Sequence, residues 1–235
     1  MEIVELLPRL HQVNLEFGQA YLWRDGDELT LVDTGVPGSG PAIEAAIASL
    51  GLPRSALSRI VLTHGHEDHA GSAAEIHAWH GAPIHAHAAD TPVIRGERRR
   101  ADPVLTDFER PIWEQVTALG VTALDIPPAP VAVQLTGGET LDFGDGARVL
   151  SIPGHTPGSI AVHLPEHGVL FAGDTVSSTP ELGVLPGVFN LDRTALLDSY
   201  RRLAALDPDT LCVGHGASVV GEAGAAMRAS AAPLS

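Results

Sequence analysis

The 235-residue sequence has no lysine, one cysteine and few aromatic residues, 4% of the chain. Each shortage excludes something. A single cysteine, Cys212, permits no intrachain disulfide framework and gives no sign of an oxidising compartment. Lying in the apolar run Thr210-Leu211-Cys212-Val213, it reads as a small core residue rather than a nucleophile. Sparse aromatics leave the core to Leu, Val, Ile and Ala. All 14 basic residues are arginine, against 29 acidic ones, and the formal net charge of -15 repels a phosphodiester polymer on average. No nucleic-acid partner is expected. The one run that could override that mean is Arg95, Arg98, Arg99 and Arg100; it reads as a solvated face, with a grip on an anionic substrate tail as the alternative. Long apolar runs are also missing, and Met1–Glu5 lacks a basic n-region and an apolar h-region. The expectation is a soluble, cytoplasmic protein without a membrane partner.

What the chain does have is a globular composition, 44% hydrophobic and 18% charged, and enough length to bury a sizeable core. One domain over residues 1–235 is expected. Its densest chemistry is Thr63-His64-Gly65-His66-Glu67-Asp68-His69, directly after the apolar run Ile60-Val61-Leu62. A strand that ends in such a turn delivers imidazoles and carboxylates in different directions from a tight loop, so they can converge on cations. His64 and His66, two apart, can flank one ion; Asp68 and His69 can turn toward a second. Glu67 is expected to point to solvent. A solvated polar turn is the plainer reading, and three histidines around an aspartate argue against it.

Along the chain, two strands around Asp25-Gly26-Asp27 read as a hairpin over residues 19–34 that ends in Val32-Asp33-Thr34-Gly35. Ile43, Ala46, Ile47 and Leu50 recur at helical spacing, and Gly51 stops them. A strand over 59–63 feeds the metal turn, a helix over 70–80 follows, and Ile84-His85-Ala86-His87 reads as a short strand. His85 and His87 are expected to pack or hydrogen-bond at a sheet edge, since no third ligand accompanies them; His77 and His80 are expected to be exposed or capping. Residues 88–130 read as an excursion, a lid or rim over the site, with a helix near Phe108–Leu119 whose buried stripe is Phe108, Ile112, Trp113 and Val116. Further strands are expected at 131–135, 141–143, 149–152, 159–164, 169–172 and 210–213, with a helix over 193–206 capped by Asp192 and a short Ala-rich tail. Short turns join most neighbouring strands, which points to mixed sheets with helices outside them. Leu31-Val32-Asp33-Thr34-Gly35 and Leu170-Phe171-Ala172-Gly173-Asp174-Thr175 echo each other, as two similar halves packed face to face would.

Three more ligand-type residues, His155, Asp174 and His215, each follow an expected strand and lie beside glycine, which permits tight turns and close backbone approach. With His64, His66, Asp68 and His69 they complete two coordination sets. In this order the seven residues resemble the metallo-β-lactamase-fold superfamily, whose HxHxDH motif is matched at His64, His66, Asp68 and His69 and whose downstream His, Asp and His are matched at His155, Asp174 and His215. The resemblance implies an α/β fold, a four-layer αββα sandwich of two mixed sheets with helices on the outer faces. It implies His64, His66 and His155 on one metal, Asp68, His69 and His215 on a second, and Asp174 bridging, with two zinc ions usual and iron or manganese in relatives. Two such ions roughly 3.5–4 Å apart supply a hydroxide at neutral pH and polarise a carbonyl. Asp68 is then the candidate catalytic residue that holds or shuttles a proton. Asp33 either orients the metal loop or caps the following turn.

Departures from the family narrow the reading. β-Lactamases of this superfamily usually lack an Asp at the bridging position; type II glyoxalases add a helical domain after the last His; quorum-quenching lactonases place a Tyr shortly after the bridging Asp, where this chain has Val176, Ser177 and Ser178. The expectation is a zinc hydrolase that cleaves an ester-like bond (thioester, lactone or ester) in a small molecule. A mononuclear iron enzyme of the persulfide-dioxygenase type, a hydrolase with weak β-lactamase activity, and a non-enzymatic metal-binding module are its rivals, in that order.

Overall fold

Two strands that the alternation pattern does not reveal open the chain of the computed structural model, which describes residues 2–231. β1 (Glu2–Leu7) and β2 (Leu10–Asn14) pair antiparallel, Ile3 opposite Val13. In β2 the polar His11 and Gln12 are buried together with Leu10 and Val13, so burial no longer follows polarity. The described residues divide into two compact units, Met1–Arg100 with Gly120–Leu135, and Ala101–Leu119 with Thr136–Ser235.

The first unit is built on a seven-stranded sheet in which strand order follows chain order. The expected hairpin forms from β3 (Gln19–Asp25) and β4 (Glu28–Val32), and α1 (Gly40–Ser49) buries Ile43, Ala46 and Ile47. From β4 onward the strands run parallel through β5 (Leu57–Val61), β6 (Ile84–His87) and β7 (Val131–Leu135), with Leu31 opposite Ile60 and Ile60 opposite Ile84. Because β6 lies between β5 and β7, His85 and His87 are not at a sheet edge as expected; burial lowers the pKa of His85, and Nδ1 of His87 accepts from the Ala89 amide at 3.1 Å. The helix expected over 70–80 is interrupted. One turn, α2 (Glu67–Ala70), is followed by α3 (Ala73–His77), because Ser72 between them gives its hydroxyl to the Val36 carbonyl and receives the Ser39 amide. His77 and His80 bond the carbonyls of Ala82 and Leu57. A further short helix, α4 (Thr91–Ile94), leads toward the arginine run.

The second unit holds α5 (Glu109–Ala118) and a mixed sheet formed by β8 (Thr140–Leu141), β9 (Ala147–Ser151), β10 (Ile160–Leu164), β11 (Val169–Phe171), β14 (Thr210–Cys212) and β15 (Val219–Val220). Only β11 and β14 are parallel. β12 (Val176–Thr179) and β13 (Gly183–Pro186) form a separate pair. α6 (Arg193–Ala204) is capped as expected, the Asp192 carboxylate accepting from the Ala195 amide, and it buries Tyr200 and Leu203. The Ala-rich tail is more than a tail: it forms β15 and α7 (Ala223–Ala231), whose Met227 is fully buried and whose Ser230 bonds the Tyr200 hydroxyl. Each fully buried large apolar side chain of this kind contributes about 1.5–3 kcal/mol.

α5 corrects a further expectation. Phe108 is 67% exposed, Ile112, Trp113 and Val116 are half-buried, and the one fully buried residue of the helix is Glu109. The helix is fixed by that carboxylate rather than by an apolar stripe. Cys212 is buried in β14, and burial pushes its thiol well up, as a core residue requires. Both sheets are mixed, as expected, and among the described residues no helix is long and apolar enough to cross a membrane.

Candidate metal centre

In the first unit one carboxylate organises the turn after β5. Asp33 follows β4 directly, in the left-handed region at φ 60°, and its amide donates to the Val61 carbonyl at 2.9 Å. Its Oδ1 accepts from the Thr63 amide at 2.7 Å. Its Oδ2 accepts from the Thr63 hydroxyl at 2.7 Å and lies 2.9 Å from Nδ1 of His69. Of the two roles expected for Asp33, it therefore orients the turn. Thr34 grips the other side, its amide and hydroxyl both donating to the His69 carbonyl at 2.7 Å, and Asp90 accepts the Gly65 amide at 2.9 Å.

Glu67 does not point to solvent. It is 4% exposed, and Nε of Arg100 donates to both its oxygens, at 3.1 and 2.9 Å, while Nη2 of Arg100 donates to the Thr122 carbonyl. Burial outweighs the arginine and raises the Glu67 pKa. The arginine run is accordingly not one solvated face. Arg98 and Arg99 are exposed, but Arg95 donates to the Val131 carbonyl and Arg100 locks the metal turn.

The turn brings its four candidate ligands together. Nε2 of His64 lies 3.1 Å from Nδ1 of His66, the rings of His64 and His69 are 4.1 Å apart, and Nε2 of His69 lies 3.8 Å from Oδ2 of Asp68. His69 keeps Nδ1 on Asp33, which leaves Nε2 to present a lone pair.

In the second unit the candidates come from separate strands, and sheet register aligns two of them. β11 and β14 are parallel neighbours with Phe171 opposite Cys212, so Asp174 and His215 stand at the same offset beyond them; Gly214 donates to the Gly173 carbonyl at 3.1 Å. Nε2 of His215 lies 3.2 Å from Oδ2 of Asp174, and Nε2 of His155 lies 3.5 Å from the same oxygen. At Gly187 a Cβ would collide with the Asp174 carbonyl, so the chain passes there only as glycine. Nδ1 of His155 faces Oδ1 of Asn190 at 3.3 Å, and the Asn190 amide group donates to the Gly187 carbonyl. Asn190 is buried and orients His155, and nothing in the sequence around it sets it apart.

These donor sets suit a cation. Tetrahedral ions with metal–nitrogen bonds near 2 Å hold their ligand atoms roughly 3.3 Å apart. The separations of 3.1 and 3.8 Å in the first unit and 3.2 and 3.5 Å in the second fall around that value. Imidazole with carboxylate is the donor chemistry of zinc, iron and manganese sites, and the chain thus carries candidate His/Asp groups for divalent metal.

Known proteins place this chemistry. The family model described as the metallo-beta-lactamase superfamily matches residues 13–215. A Bacillus subtilis protein described as probable metallo-hydrolase YflN is 28% identical over 230 residues, covering 91% of this chain and 86% of that one. The hydroxyacylglutathione hydrolase of Cereibacter sphaeroides is 30% identical over 190 residues, 80% of this chain and 57% of its own. Among solved structures, the metallo-beta-lactamase family protein TTHA1429 from Thermus thermophilus superposes with a TM-score of 0.72 at 27% identity, covering 97% of this chain and 79% of that one. That likeness shows the fold, the αββα class that the sequence resemblance implies.

Proposed function

The chain belongs to the metallo-beta-lactamase superfamily and is a metal-dependent hydrolase, and from that premise we propose that it cleaves an ester-like bond (a thioester, lactone or ester) in a small molecule, with two zinc ions as cofactor. His64, His66 and His155 would hold one ion and Asp68, His69 and His215 the other, with Asp174 available to both; iron or manganese are the alternative metals. The observation that carries this reading is the set of ligand-atom separations within each unit, all near the spacing one ion imposes. When bound, such a pair supplies an activated water near neutral pH and a Lewis acid for a carbonyl oxygen. The chain's own residues then do the rest. Asp33 and Asn190 hold the Nδ1 sides of His69 and His155, which fixes both tautomers and presents Nε2 as the lone pair. Asp68, 17% exposed in its side chain and beside His69, is the carboxylate placed to take a proton and return it to the leaving group.

The similarity to hydroxyacylglutathione hydrolases, which are named for hydrolysing an acyl derivative of glutathione, supports an acyl-transfer substrate, although this chain spans little more than half their length. A net charge of -15 supports a small molecule over nucleic acid. Metal analysis and an ester, thioester, lactone and β-lactam panel test the proposal, with His66→Ala and Asp68→Ala as controls. Two zinc ions per chain, with turnover lost in both variants while the fold persists, is the expected outcome. Undiminished hydrolysis by the variants overturns it, and one iron per chain with oxygen uptake replaces it by an iron oxygenase.

A further inference from the structure

α5 contains a buried carboxylate that none of the proposed chemistry uses. Oε2 of Glu109 accepts from the amide and the hydroxyl of Thr106, at 2.8 and 2.7 Å, which closes the turn into the helix. Oε1 reaches across the second unit and accepts from the Phe189 amide at 2.9 Å. Burial alone would raise the Glu109 pKa, but the Thr106 and Phe189 donors together with the Arg193 charge outweigh it and hold the carboxyl below its ordinary range. The group that meets Phe189 is thus an ionised acceptor.

Phe189 is where such an acceptor matters. Its φ is 61°, in the left-handed region that a bulky side chain occupies at a cost and keeps only when its surroundings over-determine it. The Phe189 ring meets Trp113 of α5 edge-on, with centroids 4.9 Å apart. The next residue is Asn190, which faces His155. Its carbonyl accepts from the Val104 amide at 2.9 Å; the following amides, of Leu191 and Asp192, donate to the carbonyls of His155 and Gly154. The bend at Phe189, with its left-handed backbone, therefore sets where the Asn190 carboxamide points.

We propose that Glu109 is a positioning residue for His155: by anchoring the Phe189 amide it holds position 189 in the left-handed conformation, which keeps the Asn190 carboxamide on Nδ1 of His155 and Nε2 directed at Asp174. The inference rests on the reading of His155 as a metal ligand. It makes the helix of residues 109–118 a support of the metal centre, through one residue on the chain rather than through contact with any ion. A plain helix cap, the competing role of Glu109, would leave His155 unaffected.

The test is zinc affinity, read by chelator competition on the full chain, for the parent, Glu109→Ala, Phe189→Gly and the double variant, with thermal melts alongside. Loss of the outer partner of a metal-binding histidine weakens binding about tenfold, and Glu109→Ala, which acts through that partner, is expected to weaken it by up to that factor. Phe189→Gly is expected to bind zinc like the parent, because glycine takes a positive φ without an anchor. The double variant is then expected to bind more tightly than Glu109→Ala alone. An affinity unchanged in Glu109→Ala, or one that glycine at 189 does not recover, overturns the proposal. If Glu109→Ala does not fold, Glu109→Met, which fills the same space without an oxygen acceptor, with and without Phe189→Gly gives the same comparison. A parent that binds no zinc would sink the proposed function itself, whereas a parent that binds zinc beside an unaffected Glu109→Ala would sink only this inference.

Discussion

The two units reach the same kind of donor set by opposite routes. In the first, four candidate ligands come from one turn between His64 and His69, and one carboxylate, Asp33, takes hold of both the start and the end of it. In the second, His155, Asp174 and His215 arrive from the ends of β9, β11 and β14, and register between parallel strands rather than a shared turn aligns the last two. Each unit also buries one glutamate, Glu67 in the first and Glu109 in the second, and the two are treated differently. Glu67 is paired with an arginine yet is held by burial above its ordinary pKa; for Glu109 burial pulls the same way, but hydrogen-bond donors and the Arg193 charge overcome it and hold the group below. The comparison teaches that a contiguous motif can be gripped at both ends by one side chain, while a dispersed one relies on strand register and on a separate partner for its outlying ligand.

The sharpest way to break that contrast is at Arg100. Arg100→Ala leaves the Glu67 carboxylate buried without the guanidinium, and removing one partner of a buried pair costs about 3 kcal/mol or more; urea unfolding is expected to show this loss, with Arg99→Ala, at an exposed position, within about 0.5 kcal/mol of the parent. Next comes the pair of partners behind the histidines. Asp33→Ala removes a charged acceptor from three donors and is expected to weaken zinc binding about a hundredfold, whereas Asn190→Ala removes a neutral acceptor at 3.3 Å and is expected to cost about tenfold. Equal losses, measured by chelator competition, would mean that the two units support their ligands alike.

The smallest effect is a slope with pH. Because the folded pKa of Glu109 is depressed, its contribution to stability is present above the ordinary carboxylate range and disappears as pH falls through the folded value. Unfolding midpoints of the parent and Glu109→Gln are thus expected to converge on acidification; a gap that stays constant, or widens, would contradict the assignment.

The metal turn and the order of the seven ligands were legible in the sequence because residue type alone distinguishes them, and the hairpin over 19–34 was legible because its turn and its alternation agree. What stayed hidden depends on long-range contacts. Glu67 looks like any polar turn residue until Arg100, 33 positions away, is folded onto it. Asn190 and Glu109 sit in unremarkable local sequence, and their partners lie 35 and 80 positions distant. The apolar spacing of α5 reads as a buried stripe, but spacing reports periodicity and cannot report whether anything packs against it. β2 and α7 were missed for the converse reason: buried His11 and Gln12 break the alternation of the first, and the small residues of the second carry little hydrophobic signal.

Asp33 has an evolutionary consequence. Its backbone, at φ 60°, favours glycine, asparagine or aspartate, while its neighbours require an anionic acceptor with two oxygens on a short stem. Glycine meets the first demand and fails the second; glutamate supplies the charge but has too long a stem and fails the first demand as well. Asparagine keeps the backbone but offers one oxygen for three donors, so a saturation library at this position is expected to return almost nothing but the parent. The most mutationally frozen residue of the site would then be one that touches no ion at all.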